Sequence, residues 1–523
     1  MKKNTELKKF PTLRDGYGKA SVIDLGSNSV KMVNYLVDSN NSYKPYHQES
    51  VRVKLAEGLI DGSIQEKYIE NTIETLKLFR NIVDFERIDY ETAVATSAVR
   101  DANNKEYVIN KIRNETGFNF KILSESEEAL YSYAGAIRSL NLPNVVFFDL
   151  GGGSLEIVFS EHFEIKKVIS LPLGSLRLTR QFLSNGIIEK SFSNMKKYID
   201  GVIPNRKSLN IKTNQGLVLV GVGGTIRSIA KYHQEKIHYP LTKLHNYSIS
   251  LGSIASISRE FLAQPTEKLA KIDSISSGRA DTIKAGSVVI SELMKKLEFS
   301  SITISAQGLR EGTLSLSLQY PEDYLNHKID KDHVQELIHL SCQPDILSEY
   351  VEDLVHLLFS VNLISDKERI LLAQSIAQID KLSSFRDVDN VLYTLLDDDS
   401  TLSHREQLIV AMSLIYSKKK KKAESLIAKF DRILKQSDKK TIKKIASVIS
   451  VCDIFHKTGI SLKAKSETSN SLRMDIYVPK NTFPEILFYQ ACKRMENSLG
   501  IIIKSSIYYK TSEYSPSKPI GII

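Results

Sequence analysis

The sequence predicts an α/β protein built on an internal duplication, followed by a helical region and a small α+β block. Three observations carry that expectation. V-I-D-L-G-S-N-S at 22–29 recurs as F-F-D-L-G-G-G-S at 147–154. Strand-like apolar runs alternate with helix-like segments from residue 20 to about 316, the signature of α/β layers. After Y-P-E-D (320–323) the pattern changes, and residues 330–460 carry long apolar stripes and almost no glycine. The expected divisions are a leader (1–19), two related α/β domains (20–133 and 134–320), a helical domain (325–460) and a small α+β domain (461–523).

The elements follow from local pattern. Ala20–Leu25 and Val145–Leu150 are apolar runs that end in the repeated turn, and each turn leads into a second β-like run (Val30, Met32, Val33; Leu155, Ile157, Val158). A helix is expected at about 64–85, a strand at Thr92–Thr96, and a helix at Ser126–Leu140 that stops at N-L-P-N. Further strands are expected at 155–159, 217–221 and 301–305. In the last block, Leu472–Val478 and Ile501–Tyr509 read as strands around a helix at Phe483–Ser498.

Composition narrows the class. The chain has 523 residues, 42% apolar and 25% charged, which suits a multidomain globular protein. Three cysteines without a C-x-x-C pair argue against a disulfide framework and a cysteine zinc site. The first residues are basic but lack an apolar stretch of the signal-peptide kind, and no run reaches the roughly 18 apolar residues needed to span a bilayer. A cytoplasmic protein is expected, with neither a membrane nor nucleic acid as partner. Charge is segregated. Residues 321–400 hold 6 Lys+Arg against 17 Asp+Glu, whereas 418–444 hold 12 against 3. The basic stretch opens with Lys418, Lys419, Lys420, Lys421 and Lys422 and is interleaved with Leu426, Ile427 and Phe430. It reads as an amphipathic basic helix or helix pair: either a solvated face or a polyanion docking surface.

The repeated turn is where chemistry is expected. Gly26, Ser27, Asn28 and Ser29 in the first copy, and Gly151, Gly152, Gly153 and Ser154 in the second, leave backbone N–H groups free to wrap an anion. Asp24 and Asp149 end the preceding strands and would repel a phosphate unless a cation lies between. A third Gly-rich element, V-G-V-G-G-T-I-R, places Gly223, Gly224 and Thr225 where a strand opens into a helix. It suits an anion, or is simply a turn requiring positive φ. P-loop and dinucleotide-binding signatures are absent. Arg100 follows the strand ending at Thr96 and can fork onto phosphate oxygens or pair with Asp101. In S-E-S-E-E-A, Ser124 and Glu127 form a capping-box pattern, and Glu127 and Glu128 lie ~100° apart on a helix, so only one can face a cleft.

Taken in order, I-D-L-G-S-N-S, A-T-S-A-V-R-D-A-N-N, S-E-E-A-L-Y, F-D-L-G-G-G-S-L-E-I, L-P-L-G-S-L-R-L-T, G-V-G-G-T-I-R-S-I-A, G-R-A-D-T-I-K-A-G and G-L-R-E-G-T-L resemble the exopolyphosphatase / guanosine pentaphosphate phosphohydrolase (Ppx/GppA) family over residues 20–316. The resemblance implies duplicated actin/hexokinase/Hsp70-type (ASKHA) domains around a cleft, a possibility the repeated Asp24 and Asp149 motifs raise independently. It implies hydrolysis of a terminal phosphoanhydride with Mg²⁺ or another divalent cation. Glu128 then falls on the catalytic base. Asp24, Asp149 and Glu156 fall on the residues that hold or orient the metal, and the turn residues with Arg100 on those that bind phosphate. The helical region is similar to the HD-like domain of long-form members, but no His-Asp dipeptide occurs in 330–460, so a degenerate, binding role is expected. Inorganic polyphosphate is the expected substrate. Guanosine pentaphosphate is the alternative, a non-catalytic sensor the third reading, and a homodimer is implied by the resemblance alone.

Overall fold

The computed structural model describes residues 17–510, apart from residues 40, 185–188, 212–215, 277, 342–350, 380–387, 398–400, 459, 461, 469–470 and 480–482. Most of the expected leader therefore lies outside the described residues. The chain forms two units. One comprises residues 1–238 and 244–342, the other residues 239–243 and 343–523.

The first unit opens with β1 (Tyr17–Leu25), β2 (Ser29–Asp38) and β3 (Tyr43–Arg52), then a short hairpin of β4 (Leu59–Ile60) and β5 (Ser63–Ile64). The helix α1 (Glu66–Glu86), strand β6 (Tyr90–Ala95), helices α2 (Ser97–Arg100) and α3 (Lys105–Thr116), strand β7 (Phe120–Ile122) and helix α4 (Glu125–Leu140) complete the first lobe. The second lobe repeats the plan with β8 (Val145–Leu150), β9 (Leu155–Glu161), β10 (Glu164–Leu171), α5 (Ser175–Phe182), α6 (Glu189–Val202), β11 (Val218–Val222) and α7 (Gly224–Lys236). It continues through β12 (Tyr247–Ser250), α8 (Leu251–Ala263), α9 (Thr266–Leu269), α10 (Ile283–Lys296), β13 (Ser301–Ile304), α11 (Leu309–Gln319), α12 (Pro321–Leu325) and α13 (Lys331–Ser341).

The duplication is topological as well as sequential. One sheet runs β3-β2-β1-β6-β7 and the other β10-β9-β8-β11-β13-β12. In both, an antiparallel three-strand meander is followed by parallel strands, to which the second sheet adds β12 as an antiparallel edge. The strands β1 and β8 are buried along nearly their whole length, which is why they read as unbroken apolar runs. The helices α4 and α11 are exchanged between lobes: α4 follows the first sheet but packs on β8, β9 and β10, and α11 follows the second sheet but packs on β1 and β6. They cross at Gly135 and Gly312. A Cβ on Gly312 would lie 1.8 Å from the Tyr131 carbonyl oxygen, and one on Gly135 would lie 2.1 Å from that of Gly308.

The second unit contains α14 (Glu352–Ser360), α15 (Asp366–Ala377), α16 (Val388–Asp397), α17 (His404–Lys418), α18 (Lys420–Lys429) and α19 (Asp438–Thr458). A sheet in the order β14 (Leu462–Thr468), β15 (Ser471–Pro479), β16 (Ile502–Lys510) follows, with α20 (Glu485–Leu499) between its last two strands. One apolar cluster runs from Val351 through Phe455 to Met474, Phe488 and Ile507. The expected division at 460/461 is thus not a break in packing. The division expected near 320–325 falls instead at 342/343, because α13 packs on α4 in the first unit. Residues 377–381, expected to stand in place of a His-Asp pair, lie partly outside the described residues. Among the described residues no helix is long and apolar enough to cross a membrane.

Candidate active site

Both repeated turns close with the same hydrogen bond. Gly26 N donates to Ser29 O at 3.1 Å, and Gly151 N donates to Ser154 O at 3.0 Å. Together with the start of α7 they enclose a cavity of about 200 Å³ lined by Asp24, Gly26–Ser29, Glu128, Asp149, Gly151–Ser154, Gly223 and Gly224. Gly223 has φ +103, and a Cβ there would lie 2.6 Å from Leu150 O, so this turn needs glycine for both conformation and space.

The two adjacent glutamates are separated by the helix cap. Ser124 is the N-cap of α4. Glu127 N donates to Ser124 Oγ at 3.2 Å, while Glu127 Oε2 accepts from Ser124 N at 2.9 Å. Lys121 Nζ lies 3.2 Å from the other oxygen of Glu127, so that side chain is consumed in local structure. Glu128 faces the cavity, and Arg100 Nη1 donates to its Oε2 at 2.7 Å. Burial pushes the Glu128 carboxyl up to about 7, against the pull of Arg100 and with help from Asp149 and Asp24.

The paired strands show how the two copies have diverged. In β1/β2 Asp24 stands opposite Lys31; in β8/β9 Asp149 stands opposite Glu156. Two carboxylates directly across a ladder repel. Burial raises both Asp149 and Glu156 above their ordinary values, and Glu128 and Asp149 push Glu156 further. Ser132 Oγ donates to Asp149 Oδ2 at 2.8 Å. Among the described residues no group of three or more His, Cys, Asp or Glu is placed to hold a metal ion. Asp24 and Asp149, which line the cavity, have the chemistry a hard cation of the Mg²⁺ kind requires, since it takes one or two carboxylates and fills its remaining positions with water and phosphate oxygens.

Three expected residues are placed differently from their sequence reading. Arg100 does not line the cavity; its guanidinium is held by Glu128 and donates to Leu123 O at 3.1 Å, while Asp101 is 3.7 Å away. Thr225 is buried against Gly286 of α10, because the second residue of α7 turns away from the opening. Glu156 is 1% exposed and also stands outside the cavity wall. Lys418–Lys422 belong to the second unit and straddle the junction of α17 and α18, the helix pair of the two expected arrangements. Lys418 is paired with Asp453, which also takes Lys457 at 2.9 Å; Lys419–Lys421 are exposed.

Four cations that the motif reading did not single out also line the cavity, Lys31, Arg227, Arg279 and Arg310, as do the carboxyl groups of Glu57, Asp281 and Glu311. Burial lowers Lys31 to about 8, opposed by Asp24 and reinforced by Arg310, Arg279 and Arg227. Burial also lowers Arg279 to about 10, with Arg227 and Arg52 adding to the effect. A Cβ on Gly224 would meet the Arg279 guanidinium at 1.8 Å, so this cation lies against the first residue of α7. A guanidinium beside the positive end of a helix is unfavourable alone and favourable around an anion. The available sequence signal was a basic residue one to three positions after a glycine in G-G-T-I-R, S-G-R and G-L-R.

Comparison with known proteins identifies the family. The profile of the Ppx/GppA phosphatase family matches residues 36–320. A bifunctional 3-dehydroquinate synthase/phosphatase of Fusobacterium nucleatum is 29% identical over 305 residues, covering 56% of this chain and 46% of that protein. Exopolyphosphatase 1 of Mycobacterium tuberculosis is 28% identical over 314 residues, covering 58% of this chain and 90% of that one. Among solved structures, an exopolyphosphatase from Cytophaga hutchinsonii superposes with a TM-score of 0.53 at 26% identity, over 58% of this chain and 98% of its own. The Aquifex aeolicus Ppx/GppA family member gives 0.50 at 27%, over 58% and 99%. With the duplicated turns, the buried glutamate and the cation-lined cavity, the match over more than half its length places this chain in the Ppx/GppA phosphatase family of phosphoanhydride hydrolases.

Proposed function

We propose that the chain is an exopolyphosphatase of ASKHA architecture, releasing terminal orthophosphate from inorganic polyphosphate. The observation that carries the reading is Glu128: a buried carboxyl pushed up to about 7, facing a cavity lined by two phosphate turns and four cations. A general base near neutrality matches proton abstraction from water at working pH. In the proposed reaction the water oxygen attacks the terminal phosphorus, its proton passes to Glu128, and the bridging P–O bond breaks with its electrons going to the shortened chain. Arg100 fixes the Glu128 carboxylate toward the cavity. Lys31, Arg227, Arg279 and Arg310, with backbone N–H groups of the turns, stabilise charge on the terminal phosphoryl oxygens. A divalent cation held by Asp24 and Asp149, with Glu156 opposite Asp149 on the ladder, would supply further charge neutralisation on the phosphate oxygens.

The polyphosphate reading is supported by relatives that are exopolyphosphatases by name over 90% or more of their lengths. The exposed lysines 419–421 are proposed to dock long chains, with the helical region binding rather than catalysing. The test is phosphate release from long polyphosphate, tripolyphosphate and guanosine pentaphosphate side by side. Faster turnover per unit enzyme on guanosine pentaphosphate than on either polyphosphate refutes the assignment.

A further inference from the structure

Beside the phosphate cavity lies a second chamber of about 430 Å³, sharing Ser27, Ser97, Gly152, Gly153 and Leu176 with it. The wall between them is thin. Ser27 Oγ and Ser97 Oγ are hydrogen-bonded at 2.7 Å, and the facing Gly152 and Gly153 contribute no side chains. The far side of the chamber is formed by α5, whose Arg177 and Arg180 are three residues apart and so share a helix face.

Both guanidiniums are partly engaged and partly available. Arg177 Nε donates to Gly153 O at 2.8 Å, and its Nη2 stands 3.9 Å from Asp101 Oδ2. Arg180 Nη1 donates to Ala56 O at 2.6 Å, across the cleft in the first lobe. An arginine carries five N–H donors, so these contacts orient each fork and leave donors for a ligand. Asp101 is the single carboxylate among the lining residues, giving the chamber a cationic excess. The α5 side is open to water, with Arg177 46% exposed. No aromatic ring lines the chamber, so it offers no stacking surface for a nucleobase.

We propose that this chamber is a subsite for the phosphates of the substrate that lie beyond the terminal cavity, and that Arg177 and Arg180 hold them. The proposal rests on the polyphosphate reading above. A chain lying over the partition exchanges the Ser27–Ser97 hydroxyl bond for hydroxyl–phosphate bonds and reaches two guanidinium forks suited to bidentate phosphate contact. A cationic mouth at the open side also draws a polyanion in and aligns it before the terminal phosphate enters. Arg177 and Arg180 are positioning and specificity residues in this account, because they are separated from Glu128 and the reacting phosphorus by the partition.

The test is KM and kcat against chain length for the wild type, the Arg177→Gln/Arg180→Gln pair and the Arg177→Lys/Arg180→Lys pair. The expected result is a KM ratio, variant to wild type, that grows with chain length and reaches about tenfold or more for long chains in the Gln pair. The kcat stays comparable across lengths, and the Lys pair recovers part of the loss because charge is kept and the fork is not. A loss of kcat by one common factor at every length would assign the arginines to structure and overturn the subsite. So would a raised KM for guanosine pentaphosphate with polyphosphate unaffected, which would make the chamber a nucleoside pocket. A wild-type enzyme inactive on every polyphosphate would instead refute the substrate assignment itself, and the subsite with it, before any variant is compared.

Discussion

Replacing Glu128 by Gln separates catalysis from stability in opposite directions. The carboxyl is pushed from 4.5 up to about 7 by burial, so the folded protein holds its proton more tightly than the unfolded chain does. The favourable contribution of this group to folding is complete below about 4.5 and is lost as pH rises through about 7. At roughly 1.4 kcal/mol per pH unit, the ionised form costs the substrate-free protein about 3 kcal/mol at pH 8. Gln keeps an oxygen for Arg100 and removes the titration. The stability difference between Glu128→Gln and wild type should therefore move in favour of the variant by up to about 3 kcal/mol between roughly pH 4.5 and 8. Comparing the two proteins at each pH cancels any constant effect of the altered Arg100 contact. Urea unfolding at both pH values measures this. In parallel, kcat should fall by roughly 10²–10⁴, and the acid limb of the wild-type kcat/KM profile near 7 should vanish from the residual activity. A variant that retains most of its turnover, or a stability difference flat in pH, would remove Glu128 from the role of buried base; a crippled Glu127→Ala beside an active Glu128→Ala would shift the base by one residue.

Gly312→Ala should destabilise the first unit by roughly 1–3 kcal/mol or more and depress turnover, since its Cβ would lie 1.8 Å from a backbone oxygen of α4; an unchanged melting temperature counts against the crossing as described. Chelation should abolish activity, and Asp149→Asn should raise the divalent-cation concentration needed for half-maximal rate; full turnover in excess chelator would dismiss the cation from the mechanism. Neutralising Lys419–Lys421 should raise KM for long polyphosphate and flatten its salt dependence, and identical salt slopes for variant and wild type would leave these lysines a solvated surface.

Much of the fold is legible because its strands and caps are local signals. Val145–Leu150 is buried on both faces and reads as one apolar run, and the Ser124/Glu127 box marks the start of α4 within a residue. The strand β3 is not legible: Y-K-P-Y-H-Q-E-S-V-R is mostly exposed at a sheet edge and has no hydrophobic period. The paired Asp motifs locate the cleft, but Lys31, Arg227, Arg279 and Arg310 come from four distant segments, and only the folded chain brings them together. Thr225 and Arg100 show the converse. Their motifs are right, but helix register turns one away and a neighbouring carboxylate captures the other. The division expected after 320 failed for a packing reason, since α13 completes the apolar surface around α4 through Val334, Leu337 and Ile338.

The exchanged helices give the proposed base a mechanical address. Glu128 sits seven residues before Gly135 on α4, so the carboxylate-bearing end lies about 10 Å along a stiff rod from the fulcrum where α11 crosses it. Tilting that rod by about 10° sweeps its tip through nearly 2 Å, several times the tolerance of roughly half an ångström within which a proton acceptor must meet its water. The proposed position of the Glu128 carboxylate therefore depends on how α4 is seated against α11. Small tilts of α4 about Gly135 would therefore be expected to depress turnover while leaving every residue that lines the cavity unchanged.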